Sequence, residues 1–339
     1  MAIPRSPRRL GAATALGALA LGLSLSASVV SIAPPCASAA AKAAAPAQKH
    51  FATPEDAVTA LIDALKSGDT KALLAVLGPD GKRVAESGDP IADREGREAF
   101  VQAFEEKHAL DKKSDTEVIL ETGKDAWPMP IPIVKDEKGW HFDSHAGEQE
   151  ILNRRIGRNE LGAIQASLAY VDAQREYYHR DPEKSGLLHY ARYILSTPGK
   201  RDGLYFETKE GEDESPLGEG FATARAHGYK GEHGKREAYH GYYFRVLTAQ
   251  GPHAQGGAYS YLARGKMLGG FALVAYPATW DNSGVMTFIV NQDGVVYQKD
   301  LGPKTASIAS AMTKFDPDET WKPVTDQDEE LPTEAASTQ

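Results

Sequence analysis

Residues 148–179, EQEILNRRIGRNELGAIQASLAYVDAQREYYH, decide how the chain is organised. Ile156, Leu161, Ile164, Leu168, Val171 and Tyr178 recur along one helical face among charged and amide side chains, so the spacing predicts one long amphipathic helix. The helix divides two regions of unlike composition. All fourteen tyrosines follow residue 169, and eighteen of the thirty-two glycines lie between Gly199 and Gly302. Upstream, Thr53-Pro54-Glu55 is a cap-then-proline signature that opens a helix carrying Val58, Leu61, Ile62 and Leu65. A second helix is expected over 70–77, and a third from Asp93 to about His108 with Phe100, Val101 and Phe104 inward. Strands follow at 117–120, 129–134 and 140–142.

Downstream, apolar runs at 242–249, 258–263, 268–276, 285–290 and 295–299 alternate with turn signals. The link Asn291-Gln292-Asp293-Gly294 is the sharpest of these and predicts a type I′ hairpin turn. A last helix from Thr305 should carry Ile308, Met312 and Phe315 and stop at Asp316-Pro317. The order is α+β. Helices and a curled antiparallel sheet occupy 52–146, the connecting helix 147–180, and a Tyr- and Gly-rich antiparallel domain with a terminal helix 181–315.

The two ends carry other information. Arg5, Arg8 and Arg9 precede an apolar run from Leu10 that closes on Ala37-Ser38-Ala39, which reads as a secretory signal over 1–39 followed by a flexible lead over 40–51. Residues 316–339 hold eight acids and one base, Lys322, and read as a disordered acidic tail. The expected location is periplasmic or secreted, with no membrane span once the signal is removed. The single cysteine, Cys36, falls inside the signal, so thiol chemistry in the exported chain is excluded. A net charge of -9 has the wrong sign for a nucleic-acid partner.

A few residues are candidates for chemistry. Glu160 falls within the apolar stripe of the long helix, where a carboxylate must be paired, hydrogen-bonded or protonated. His240, in Tyr239-His240-Gly241, is placed to titrate near neutrality. These two are the catalytic candidates; Tyr239, Tyr242 and Tyr243 together with Arg154, Arg155 and Asn159 are the binding candidates. His141, Asp143 and His145 alternate, but the stretch from Ser144 reads as a loop, so no metal site and no cofactor are expected. The sequence has no G-x-S-x-G elbow, no phosphate-binding G-x-x-x-x-G-K-[ST] loop, no G-x-G-x-x-G after a strand and no H-E-x-x-H.

The stretches Trp127-Pro128-Met129-Pro130-Ile131-Pro132, Arg154-Arg155-Ile156-Gly157-Arg158-Asn159-Glu160-Leu161, Tyr239-His240-Gly241-Tyr242-Tyr243-Phe244-Arg245 and Gly284-Val285-Met286-Thr287-Phe288 resemble a bacterial family known as domain of unknown function 2950. That resemblance implies a secreted or periplasmic protein and brings no activity with it. The first part, ending in Gly139-Trp140-His141-Phe142-Asp143, is similar to the cone-shaped fold of the nuclear transport factor 2-like superfamily. The remainder, a long helix ending Ala173-Gln174-Arg175-Glu176-Tyr177-Tyr178, a glycine-rich loop, Gly241-Tyr242-Tyr243-Phe244, Ala275-Tyr276-Pro277 and the Asp293-Gly294 hairpin, is similar to the heads of type IV pilins and pseudopilins, without their membrane-embedded first half-helix. The function these readings favour is a non-enzymatic binding module of the cell envelope, with a protein or envelope component as partner. The alternatives are an envelope hydrolase or small-ligand protein working from a pocket at Glu160 and His240, and a pseudopilin-like assembly protein.

Overall fold

A computed structural model describes residues 47–231 and 236–325. The expected signal, most of the lead and the end of the tail lie outside the described residues. Local signals place the first elements. Thr53 caps α1 (Pro54–Ser67) by accepting the Asp56 amide, and Gly68 ends it at φ +66°. Asp69 caps α2 (Thr70–Leu77), and a short α3 (Gly81–Ala85) follows. The next helix, α4 (Pro90–Glu106), starts before Asp93 because Asp89-Pro90 repeats the cap-then-proline signature of Thr53-Pro54. It buries no residue fully; Phe100 and Phe104 pack half-buried on the core.

The strands β1 (His108–Lys112), β2 (Glu117–Thr122), β3 (Trp127–Pro128), β4 (Ile133–Asp136) and β5 (Gly139–Phe142) pair antiparallel in the order β1-β2-β4-β5, with β3 beside β2. Alternation along β2 sends Val118 and Leu120 into an apolar cluster with Leu61, Leu73, Ile133 and Phe142. The lead is a partner of this sheet. Phe51 exchanges two backbone hydrogen bonds with Trp140, at 2.8 and 2.9 Å, and Gln48 Nε2 donates to the Phe142 carbonyl at 2.7 Å. Phe51 therefore bridges the sheet edge, and Lys49 donates its amide to the Ala75 carbonyl of α2, where the sequence predicts a flexible lead; an open strand edge offers unpaired backbone groups to an adjacent chain.

Helix α5 (Ser144–Arg180) has 37 residues, starting four positions before the expected Glu148. Its buried face is turned from the predicted stripe. Asn159, Ala163, Ser167, Tyr170, Gln174 and Tyr177 are buried with Ile164 and Val171, whereas Ile156, Leu161, Leu168 and Tyr178 are half-buried. The polar members are hydrogen-bonded. Ser167 donates to the Ala163 carbonyl, and the Gln174 amide bonds both the carbonyl and the N–H of Ala191.

Beyond α5 come β6 (Tyr193–Leu195), β7 (Gly203–Tyr205), α6 (Gly218–His227), β8 (Tyr242–Leu247), β9 (Ala249–Gln250), β10 (Tyr259–Ser260), β11 (Leu262–Ala263), β12 (Lys266–Met267), β13 (Ala272–Pro277), β14 (Met286–Asn291), β15 (Tyr297–Asp300), α7 (Thr305–Ala311), β16 (Lys314–Phe315) and β17 (Lys322–Pro323). The main sheet runs β17-β15-β14-β13-β8, all antiparallel. Every residue of β13 is buried, so both faces of the sheet are covered there.

Three expectations are corrected in this half. Only Gly294 of the Asp293-Gly294 pair takes a positive φ, at +81°, so the link is a longer loop and not a type I′ turn. Helix α7 ends at Ala311; Ile308 is 41% exposed, and Phe315 is buried in β16 beside β9. The first part of the acidic tail is folded: Trp321 is 8% exposed in the core, and β17 pairs with β15. An indole and an open strand edge outweigh the repulsion of scattered surface carboxylates. Two apolar clusters result, one from residues 57–142 and one from 163–321, within a single compact unit. The class is α+β, and no helix among the described residues is long and apolar enough to cross a membrane.

Candidate functional site

A polar seam joins the two clusters, and most of the residues singled out from the sequence lie along it. From α5, Arg155 Nη1 donates to the Arg83 carbonyl and to Asn282 Oδ1, both at 2.7 Å, and Nη2 donates to the Val84 carbonyl. Asn159 Nδ2 donates to the Ser283 carbonyl at 2.9 Å. Glu160 Oε1 accepts the amides of Val285 and Met286 at 2.8 and 2.9 Å. These three side chains grip residues 282–286, the entry to β14. Arg154 instead pairs with Glu150 on the exposed face at 2.6 Å.

The other side of the seam rests on Asp89, which sequence reasoning missed although the Asp-Pro pair marks it as a cap. Asp89 is 1% exposed. Its Oδ1 accepts the Ile91 and Ala92 amides, and its Oδ2 accepts the Tyr229 hydroxyl at 2.9 Å and the Gly241 amide at 3.0 Å. His240 sits beside this knot at φ +47°, its ring edge-on to Tyr239 with centroids 4.3 Å apart. Burial pulls the His240 imidazole below its ordinary value, against the nearby Asp89 and Glu95, and so favours the neutral ring. Gly241 has φ +76°, and a Cβ there would lie 2.5 Å from Asn159 Nδ2, so only glycine fits.

The binding candidates separate on burial. Tyr242 is fully buried and donates its hydroxyl to the Met286 carbonyl at 2.9 Å, so it belongs to the core and offers no surface. Tyr239 is half-buried, as is Tyr243, whose ring lies under the Arg236 guanidinium at 5.4 Å. Asp143 caps α5 through the Ala146 amide, and His145 is exposed in the first turn, so the alternation from His141 ends there.

Glu160 is engaged as a backbone clamp. Burial raises its carboxyl above the ordinary value near 4.5, against the lowering pull of the two amides. A folded-state value above the unfolded one means that the group contributes most below the unfolded value, and that this contribution is lost as pH rises through the folded one. Glu160→Gln keeps an oxygen for both amides and does not titrate. It should therefore fold within about 1 kcal/mol of the wild type near pH 4. The stability difference should then shift in favour of the variant by pH 7. Urea midpoints at the two pH values check this, and parallel pH profiles would refute it.

Two cavities accompany these elements, and neither is lined by Glu160 or His240. The one on the seam, about 500 Å³, is lined by Arg83, Asp93, Arg97 and Asn282 among others. Of its two arginines, Arg83 is committed to Glu148 at 2.7 Å and Asp281 at 3.0 Å. The other, about 560 Å³, lies between β6, the 197–202 loop and β12. Its wall holds a cluster of Glu183, His189 and Lys266. His189 is 4% exposed; Nδ1 bonds the Tyr190 carbonyl at 2.9 Å, which leaves Nε2 to accept from Lys266 Nζ at 3.0 Å. Lys266 also donates to Glu183 Oε2. Tyr177 donates to the Arg201 carbonyl at 2.6 Å and closes the cluster from α5.

The rest of this wall is cationic and aromatic. Arg192 stands over the Tyr193 ring at 5.4 Å, Lys200 is exposed at the rim, and Arg201 pairs with Glu212 at 2.7 Å. Asp202 turns inward to the Thr197 amide and hydroxyl. Sequence reasoning found none of these, and the 77 positions between His189 and Lys266 explain why.

A family model described as "Protein of unknown function (DUF2950)" matches residues 48–324. No curated protein and no solved structure matches, so the likenesses to the cone fold and to pilin heads find no support in a known structure.

Proposed function

The chain belongs to the DUF2950 family, a family without an assigned activity, and from that premise we propose that it is an exported, non-enzymatic binding protein of the cell envelope. Its ligand is a small carboxylate- or phosphate-bearing envelope component held in the cleft between β6 and β12. The observation that carries this reading is the charge of the cleft. Lys266 and Arg201 are neutralised by Glu183 and Glu212, so the exposed Arg192 and Lys200 carry the excess positive charge of the cleft over Asp202, in a chain whose net charge is -9. A cationic recess on an acidic protein favours a small anion over the protein's own like-charged copies. Tyr190 and Tyr193 supply flat apolar walls of the kind that hold a sugar or acyl body.

Binding is favoured over bond-making because the ionisable groups are spent on one another. His189 has both nitrogens engaged, Glu183 holds Lys266, and Asp202 holds Thr197. A general base needs a lone pair within reach of a substrate proton. Export rests on Arg5, Arg8 and Arg9, the apolar run and Ala37-Ser38-Ala39.

Calorimetric titration with a panel of uronic acids and sugar phosphates tests the proposal. At least one should bind saturably, and the paired change Arg192→Glu with Lys200→Glu should weaken it at least about tenfold without shifting the melting temperature, since both side chains are exposed. Saturable binding that ignores the charge reversal, or none across the panel, defeats the reading.

A further inference from the structure

The edge of the first sheet gathers polar side chains that neither the seam nor the cleft uses. Phe51 opposite Trp140 sets a register that brings His50 opposite His141, and their imidazole centroids are 4.8 Å apart. Asp136 enters from the last position of β4, opposite Gly139. Its Oδ1 accepts the amides of Lys138 and Gly139 at 2.8 and 3.1 Å, which fixes the carboxylate. Its Oδ2 lies 3.2 Å from His50 Nε2 and 4.0 Å from His141 Nδ1. Gly139 makes this approach possible: at φ +127°, a Cβ there would lie 2.5 Å from the Phe51 carbonyl oxygen.

One nitrogen in this group is anomalous. His141 Nδ1 is buried and has no hydrogen-bond partner among the described residues. Burying a polar atom unpaired is costly, and such atoms call for an explanation. An ordinary His50–Asp136 contact satisfies two of the three residues and leaves His141 unexplained.

We propose that His50 Nε2, His141 Nδ1 and Asp136 Oδ2 form a three-ligand site for a zinc ion. The three atoms lie within 4.8 Å of one another. Tetrahedral zinc, with bonds of about 2.0–2.2 Å, sets neighbouring ligand atoms roughly 3.3 Å apart. The Asp136–His50 separation of 3.2 Å already has that spacing, and a small rotation of the His141 ring closes the rest. Two imidazoles with one carboxylate suit zinc and its first-row neighbours, whereas calcium and magnesium prefer oxygen alone. The amide bonds to Asp136 Oδ1 are the outer contacts that orient a ligating carboxylate. Asp136 is 42% exposed on its side chain, so the fourth position opens to water. The ion would pin residues 47–51 to β5.

The test uses the chain purified without an affinity tag and stripped with a chelator, then titrated with zinc chloride by calorimetry and with cobalt chloride by visible absorption. One ion per chain is expected, with the intense visible bands of four-coordinate cobalt. His141→Ala and Asp136→Asn should each weaken zinc at least about tenfold. His50→Gln, which lies outside the strands, is the second variant should His141→Ala disturb the sheet, and it should show the same loss with an unchanged circular dichroism spectrum. Absence of stoichiometric binding, or an affinity that neither histidine change alters, overturns the site.

Discussion

Asp89→Ala is expected to destabilise the protein by about 4 kcal/mol, a large part of the roughly 5–15 kcal/mol that holds a typical fold. Loss of the cap on α4 accounts for about 1–2 kcal/mol. The remainder comes from the Tyr229 hydroxyl and the Gly241 amide, both buried, which lose their acceptor at about 1–3 kcal/mol each. The control is Asp69→Ala. Asp69 caps α2 through the Lys71 and Ala72 amides in the same way but is exposed, so its loss should cost only about 1 kcal/mol. Urea denaturation of both variants reads the difference, which measures the tie across the seam. Equal losses would show that Asp89 acts as a cap alone.

Tyr242→Ala should cost about 3–5 kcal/mol, the range for emptying an aromatic site in a core. The ring is fully buried, and its hydroxyl reaches the Met286 carbonyl. It lies directly on the backbone of Gly284, where a Cβ would come within 2.1 Å of the Tyr242 hydroxyl oxygen, so little main-chain movement can fill the space it vacates. Tyr242→Phe keeps the ring and should cost about 1 kcal/mol. Thermal melts separate the two, and a stable Tyr242→Ala protein would contradict this placement. The result bears on how the tyrosines are tested for binding. A combined change of Tyr239, Tyr242 and Tyr243 confounds unfolding with lost affinity, so only Tyr239 and Tyr243 can be altered as a test of surface recognition.

The local elements were legible. Thr53-Pro54 announces its helix because a cap depends on an amide two or three residues away; the Asp69 cap on α2 is equally local and went unread. Asp89-Pro90 carries the same signal and would have moved the start of α4 back to its true place. The buried face of α5 was not legible. Its direction depends on Ser167 and Gln174, which hydropathy assigns to solvent and which the structure buries with their hydrogen bonds made. Glu160 stands out in the sequence because a carboxylate on that arc needs partners, and those partners are the amides of Val285 and Met286, 125 and 126 positions away.

By itself, the sequence determined the α+β class, the long helix, the helix caps and the family to which the chain belongs, since each of these is written in neighbouring residues or in contiguous stretches. The tertiary structure alone decided which side chains meet. Asp89 finds Gly241 across 152 positions, Lys266 finds Glu183 across 83, and His50 finds Asp136 across 86. Such pairings are set by strand register and by how α5 lies on the sheet, and these are settled only when the whole core packs at once.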